Sequence, residues 1–375
     1  MIEPGAVNAH THLYSGLAPL GMPLPEEEPR NFMEILEKVW WRLDRAIDAS
    51  SLRAAARLHI AEALLAGTTV LVDHHESPEL IERSLDIIGD ACEELGIRAL
   101  LCYGATERND GLAEARSGLA ECRRFIVTNR RPLVRGLVGL HASFTVSDET
   151  IREAGELCRA TGAPLHVHVA EDVADVEDAR RRGYAGPLER LHELRAVEPR
   201  SILAHGVHLG EEQVELAERL RLWIVQNPRS NRGNRVGYPL ALRASNRVAL
   251  GTDGYPSNMA AESEALGIVA EDAGDPRDPV LQRTVGGARL AAEIFGVDFA
   301  PLAAGAAADA VVRENGCVRH VVVAGRLVVR DGQLVTGDIA SIRADAAREA
   351  PRLWERMRAT PVRRWSEADG PKVMS

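Results

Sequence analysis

The chain reads as an α/β protein folded as a (β/α)8, TIM-like barrel with a small β appendage towards its C-terminal end. Three observations predict this. Eight short apolar, β-branched runs alternate with stretches whose apolar residues recur at spacings of three and four, the helical period. Histidine- or aspartate-bearing clusters follow several of those runs, and a closed parallel barrel brings strand ends together on one face. Near Gly305 the texture changes to brief strands separated by Gly-containing turns.

The runs are Gly5–Ala9, Thr69–Asp73, Ala99–Tyr103, Leu137–Leu140, Pro164–Val167, Ser201–Ala204, Leu222–Gln226 and Val248–Gly251. Amphipathic helical patterns cover Asn31–Asp48, Ser51–Ala66, Pro78–Leu95, Asp148–Ala160 and Glu211–Leu220, and a further helix covers Pro279–Phe295. An open doubly wound sheet shows the same alternation, but it does not naturally gather the ends of strands one, four, five, six and eight. Gly-rich phosphate loops are absent from the sequence. The predicted organisation is a barrel over 1–300 and a β appendage over 301–337, carrying Ala310–Arg313, Val318–Val323 and Arg326–Val329. Residues 338–375 form a final helix, Asp338–Met357, and a polar tail.

Composition excludes several classes. The 375 residues support a sizeable core, and a formal net charge of −10 without a basic stripe argues against nucleic acid. Neither a charged-then-apolar leader nor a long apolar run indicates secretion or a membrane span, so a cytoplasmic protein is expected. Cys92, Cys102, Cys122, Cys158 and Cys317 are scattered without a C-x-x-C pair and read as reduced thiols.

The chemistry-bearing clusters are His10 and His12 in NAHTHL, His141 in GLHASF, His168 and Glu171 in HVHVAED, His205 in LAHGVH and Asp253 in LGTDG. A His-x-His pair on an extended segment turns both rings to one face. Three imidazoles and a carboxylate suit one divalent metal ion, Zn²⁺ foremost, with Fe²⁺ and Mn²⁺ accommodated. Asp253 also reads as an ordinary Thr-Asp-Gly turn residue, but it directly follows an apolar strand. His166 reaches the site only if the pleat is broken, and is read as structural or supporting. His208 is read as an orienting residue, His74 and His75 as either pocket-lining or inert, and His59, His192 and His320 as outside the site. Only Lys38 and Lys372 occur, and neither ends a strand, so no lysine is placed to bridge two metals.

VNAHTHLYSG, ALLAGTTVLVDHHESP, GLHASFTVSD, HVHVAED, LAHGVHL, NPRSNRGN, ALGTDG and ADAVV…VVVAGRLVVRDG together resemble the amidohydrolase superfamily, in its cytosine-deaminase and chlorohydrolase-like branch. HTHLYSGLAPLGMP, NFMEILEKVWWRLDRAID and DHHESP are similar, more narrowly, to the SsnA-type aminohydrolases. The resemblance implies that His10, His12, His168 and Asp253 hold the metal. It makes Glu171 a proton shuttle, His205 the residue that orients the attacking water, and Asp253 its base. His141, Asn227, Ser230 and Asn231 are implied to frame the substrate, and Tyr14, Phe144 and Tyr255 are the aromatic residues available for stacking.

The implied reaction is hydrolytic deamination of a small amino-substituted nitrogen heterocycle, purine- or pyrimidine-like. Dehalogenation and cyclic-amide opening use the same site. A catalytically silent barrel acting as a subunit or binding module is the reading from another class, and the intact polar set argues against it. Members of the family carry tens of residues before the His-x-His strand, whereas here Met1 lies nine residues before His10. Either the chain begins late or its β-sandwich is incomplete. An incomplete sandwich keeps only C-terminal strands, with an open edge covered by the last helix or by a partner in a homo-oligomer such as a dimer.

Overall fold

The computed structural model describes residues 1–365; the expected polar tail beyond them, with Lys372, lies outside the described residues. The strands are β1 (Ile2–Pro4), β2 (Ala6–Thr11), β3 (Thr68–His75), β4 (Arg98–Tyr103), β5 (Val134–Gly136), β6 (Val138–Ala142), β7 (Leu165–Val169), β8 (Ile202–His205), β9 (Trp223–Gln226), β10 (Val248–Leu250), β11 (Ala310–Glu314), β12 (Cys317–Val323), β13 (Arg326–Arg330) and β14 (Gln333–Leu334). Each of the eight apolar runs forms a barrel strand. The fourth is preceded by β5, from which it is separated by Leu137, whose N–H donates to the Leu101 carbonyl at 2.8 Å.

Two parallel ladders, β2-β3-β4-β5 and β10-β9-β8-β7-β6, join into the barrel. At one seam Ala105 donates to the Gly139 carbonyl and His141 to the Ala105 carbonyl, at 3.2 and 2.9 Å. At the other, Thr252 and Asp253 both donate to the His10 carbonyl, at 2.9 and 3.0 Å, and His12 donates to the Asp253 carbonyl at 3.2 Å. Asn8 fastens this second seam from inside, donating to Thr252 Oγ1 at 2.7 Å and Ser257 Oγ at 2.8 Å and accepting from Thr252 N at 3.1 Å.

The outer helices follow their sequence signals. Ala49–Ala66 starts on an Asp48–Ser51 capping box and stops at Gly67, whose φ is 91°. Asp148–Thr161 starts on Ser147, whose hydroxyl accepts from Thr150 N, and stops at Gly162. The pattern over 31–48 does not form one helix. Phe32–Ile35 and Trp41–Ala46 are α-helical, but Leu36–Trp40 between them is a π turn. A wider turn changes which side chains share a face, and such turns cluster at functional sites.

The appendage does not keep only C-terminal strands, as an incomplete sandwich would. It is a five-stranded antiparallel sheet, β1-β11-β12-β13-β14, and the chain's own first strand pairs with β11 through Ile2–Val312, Glu3–Val311 and Pro4–Ala310. Arg313 pairs with Glu3 at 2.5 Å. The sheet is tied to the barrel by the buried Arg98–Asp309 pair at 3.1 Å. The last helix, Ile339–Ala359, packs along Ala49–Ala66. All five cysteines are free, four of them buried and Cys317 exposed. Among the described residues no helix is long and apolar enough to cross a membrane.

Close packing of helix Arg277–Phe295 on β10 depends on Gly286, where an added Cβ lies 1.9 Å from the Val248 carbonyl oxygen. Gly286→Ala is expected to lower stability by about 1–3 kcal/mol. Gly267→Ala, in Met259–Ala273 with nothing within 4 Å of an added Cβ, is expected to raise it by about 0.5–1 kcal/mol. Urea midpoints of the two variants check both signs.

Candidate metal and substrate site

The expected ligands converge at one end of the barrel. His10 comes from β2 and His12 from the residue just past its end, His168 from β7, His205 from the end of β8, and Asp253 from the turn after β10. His10 Nε2 and His12 Nε2 lie 3.1 and 2.9 Å from Asp253 Oδ1. His168 Nε2 lies 3.3 Å from His12 Nε2, and His205 Nε2 is 3.8 Å from Asp253 Oδ1. Strand register slips between Asn8 and Thr11 and again between Leu140 and Ala142, so His10 and His141 both sit at irregularities that re-aim side chains.

Hydrogen bonding behind the rings sets their tautomers. His12 Nδ1 donates to the His74 carbonyl at 2.6 Å, and His168 Nδ1 donates to the His141 carbonyl at 2.5 Å. Carbonyls only accept, so these protons sit on Nδ1 and both Nε2 lone pairs turn inward. Two facing lone pairs beside a carboxylate call for positive charge between them. Burial disfavours charge on His12, yet Asp253, Glu76 and Asp73 raise its pKa to about 10. His205 Nε2 is buried without a hydrogen-bond partner while its Nδ1 lies 2.9 Å from Asn231 Oδ1. An inward-turned imidazole set with one carboxylate oxygen fits a divalent cation such as Zn²⁺.

Burial lowers the His10 pKa to about 3, keeping that ring neutral. Burial opposes ionisation of Asp253 as well, but His12 and His10 hold its carboxyl well below the usual range. For Glu171 burial prevails, reinforced by Asp253, and its pKa rises to about 7. Glu171 Oε1 accepts from Asn234 Nδ2 at 3.0 Å, and its Oε2 lies 3.5 Å from His205 Nε2. His205 and Asp253 have left-handed backbones, φ 74° and 52°, as does Ala170 at 50°, between His168 and Glu171. Non-glycine residues rarely adopt this conformation, and it concentrates at functional sites.

The His166 reading is overturned on one point. Residues two apart share a strand face, so no pleat need break, and His166 Nε2 lies 3.0 Å from His10 Nδ1 inside the barrel. His74 is also inside, with its ring 4.5 Å from that of His168 and its Nδ1 2.8 Å from Glu76 Oε1. His75 instead bonds Ser77, and His208 is exposed. His59, set aside in the sequence, is buried against Ser257 Oγ at 2.6 Å and supports the seam.

Beside the cluster lies a cleft lined by His12, Tyr14, His141, Phe144, His168, Glu171 and Asp253 as expected. Asn227 and Ser230 do not line it. Ser230 Oγ donates to Asp253 Oδ2 at 2.5 Å, and Asn227 Nδ2 stands 3.3 Å from His205 Nδ1. Tyr255 lies outside the cavity lining, under the Arg229 guanidinium. Glu76 lines the cleft from the loop His74–Pro78, which the sequence places at the pocket, whereas sequence reading missed Phe32, Leu36, Trp40 and Trp41, which the π-turn segment brings to the wall, and Asp172, Asp175 and Asn234. The acidic run Glu171-Asp172 and the Trp-Trp pair were visible signals, but their facing depends on local backbone. Trp365 backs the wall, its ring 5.9 Å from Trp41 and 6.3 Å from Phe144.

A family model described as the amidohydrolase family matches residues 1–328. The chain is 28% identical to the 5'-deoxyadenosine deaminase of Methanopyrus kandleri, over 94% of this chain and 86% of that protein. It is 31% identical to the 5-methylthioadenosine/S-adenosylhomocysteine deaminase of Thermococcus sibiricus, over 69% of this chain and 59% of that protein. A crystal structure of an adenosine deaminase from Xanthomonas campestris with bound zinc superposes with a TM-score of 0.79 at 25% identity, covering 96% of this chain and 86% of the other. An atrazine chlorohydrolase of Arthrobacter aurescens, complexed with zinc, shares the fold with a TM-score of 0.75 at 21% identity, over 93% and 88% of the two chains.

Asp175, on the cavity wall, accepts from Ser143 Oγ at 2.6 Å and Ala170 N at 2.7 Å. Burial nevertheless pushes its carboxyl from 3.8 up to about 6. Its contribution to stability is therefore fully present below about pH 3.8 and lost as pH rises through about 6, on the order of 3 kcal/mol in all. Relative to wild type, Asp175→Asn should gain up to that amount between pH 4 and pH 7.5. Urea unfolding of both proteins at the two pH values measures it, and a constant difference would refute the shift.

Proposed function

Because the chain belongs to the amidohydrolase family, we propose that it is a metal-dependent aminohydrolase that removes the exocyclic amino group of an adenine-type nucleoside, releasing ammonia. The observation carrying this reading is the set of inward-turned His10, His12 and His168 nitrogens around Asp253 Oδ1, with Glu171 alongside. The activities named for the two deaminases at 28% and 31% identity support the leaving group and the purine class.

His10, His12, His168 and Asp253 would hold one divalent ion, zinc foremost. When bound, such an ion makes water nucleophilic at neutral pH by lowering its pKa from about 15.7 towards roughly 7. Asp253 would take the water's proton while Ser230 steadies its Oδ2. Glu171, with a pKa near 7, keeps a proton available for a ring nitrogen, and Asn234 fixes its other oxygen. His205, held by Asn231, keeps Nε2 aimed between Glu171 and Asp253. The carbon–oxygen bond forms on the amino-bearing carbon, the proton passes to the amine, and the carbon–nitrogen bond breaks. Five free thiols support a reducing cytoplasm as the compartment.

Ammonia release from adenosine, 5'-deoxyadenosine and aminopyrimidines, by protein of measured metal content, tests the reading. Glu171→Gln is expected to retain metal and lose about 10²–10⁴-fold in rate. Asp253→Ala is expected to lose both metal and turnover. Full activity in Glu171→Gln would remove Glu171 from the mechanism, and halide release from a chlorinated ring in place of ammonia would reassign the leaving group.

A further inference from the structure

Helix Ile339–Ala359 ends beside the segment that forms the substrate-facing wall. Pro361 cannot continue the helix and drives Thr360 into an extended conformation, φ −74° and ψ 120°. A helix leaves its last carbonyls without intrahelical partners. Arg42 supplies them, donating from Nη2 to the Met357 and Arg358 carbonyls at 2.9 and 3.2 Å and from Nε to the Thr360 carbonyl at 2.9 Å. Arg45, buried, donates from Nη2 to the Pro361 carbonyl at 2.8 Å while its Nε holds the Trp41 carbonyl at 2.7 Å. Both arginines belong to Trp41–Ala46, the helix that follows the π turn.

Beyond Pro361 the chain reaches the wall itself. Trp365 N donates to Glu37 Oε1 at 2.5 Å, and Glu37 is a buried residue within the π turn Leu36–Trp40. A buried carboxylate is costly without donors, and this amide provides one. The Trp365 ring packs against Trp41 and Phe144, which line the substrate cleft, while Trp365 itself does not. A sequence left to itself rarely chooses a π turn; contacts from outside the segment select this one. The barrel reaches the same segment through Arg108, which pairs with Asp44 at 2.8 Å and lies 4.8 Å from the Trp41 ring. That tie acts beyond the turn, on Trp41–Ala46, whereas Glu37 lies within it, so the C-terminal contact acts where the turn is made.

We propose that residues 360–365 are a strap and Trp365 a positioning residue, which together hold the π turn in the arrangement that presents Phe32, Leu36, Trp40 and Trp41 to the substrate. Substrate affinity then depends on the far end of the chain. The metal ligands and Glu171 are carried by the barrel strands and the loops that follow them, and do not depend on it.

The test uses the full-length, metal-loaded chain as Trp365→Ala and Trp365→Phe, and as Glu37→Leu and Glu37→Gln. The second of each pair keeps the ring or the acceptor oxygen. Hydrogen exchange is expected to quicken about 10-fold over residues 32–46 in Trp365→Ala and Glu37→Leu, with the barrel strands unmoved. Ammonia release from 5'-deoxyadenosine, a readout that rests on the deaminase reading above, is expected to show KM about 5–20-fold higher and kcat within about 2-fold, at unchanged metal content. Trp365→Phe and Glu37→Gln are expected to restore most of both. Unchanged exchange over residues 32–46, or faster exchange spread over the whole barrel, would overturn the strap. Faster local exchange with an unaltered KM would overturn its hold on substrate affinity. Wild-type protein that releases ammonia from no ring would instead overturn the deaminase reading, and exchange would still decide the strap.

Discussion

The seam between β2 and the end of β10 is the constraint on which the rest of the site depends. Three backbone hydrogen bonds cross it at His10, His12 and Asp253, and these are the residues whose side chains meet inside. Barrel closure and site assembly are therefore one event. Asn8 secures the seam by linking β2 to Thr252 and Ser257, and His59 holds Ser257 from the neighbouring helix. Buried side-chain amides of this kind are costly unless fully partnered, so the seam has little tolerance for slippage.

Around that seam the fold holds arrangements that are unfavourable in isolation. Imidazole lone pairs face one another at 3.3 Å, three non-glycine residues adopt left-handed backbones, and His205 Nε2 is buried with no partner. Each is imposed from behind by backbone carbonyls, Asn231, Ser230 or the strand ladder, which is how a rigid scaffold stores a site ready for a cation. At Glu171 burial, reinforced by Asp253, outweighs the nearby His205 and its proton affinity rises, while the same burial is overcome at Asp253 by adjacent histidines. Two carboxylates in one cavity thus receive opposite acid–base characters.

The substrate wall is built differently from the metal side. It comes largely from a segment before the first outer helix, whose π turn places Phe32, Leu36, Trp40 and Trp41 together, with Trp365 packed behind from the far end of the chain. The β appendage likewise joins distant segments, Ile2–Pro4 with Ala310–Glu314. Both features leave the barrel's ladder intact, so the reacting groups and the substrate-facing surface can be varied separately.

Periodicity alone determined the eight barrel strands and most of the helices, because apolar spacing reports burial directly. The identity of the ligand set was equally legible, since histidine and aspartate at strand ends have few other reasons to recur there. What tertiary structure alone decided were the contacts made across long sequence distances or by departures from regular backbone. His166 backing His10, Ser230 and Asn227 standing behind the ligands, and His208 pointing to solvent follow from the facing of loops. The π turn was hidden because one extra residue in a turn leaves hydrophobic spacing nearly unchanged while rotating the face. Pairing of β1 with β11 was hidden for another reason: three residues carry too little pattern to announce a partner more than 300 positions away.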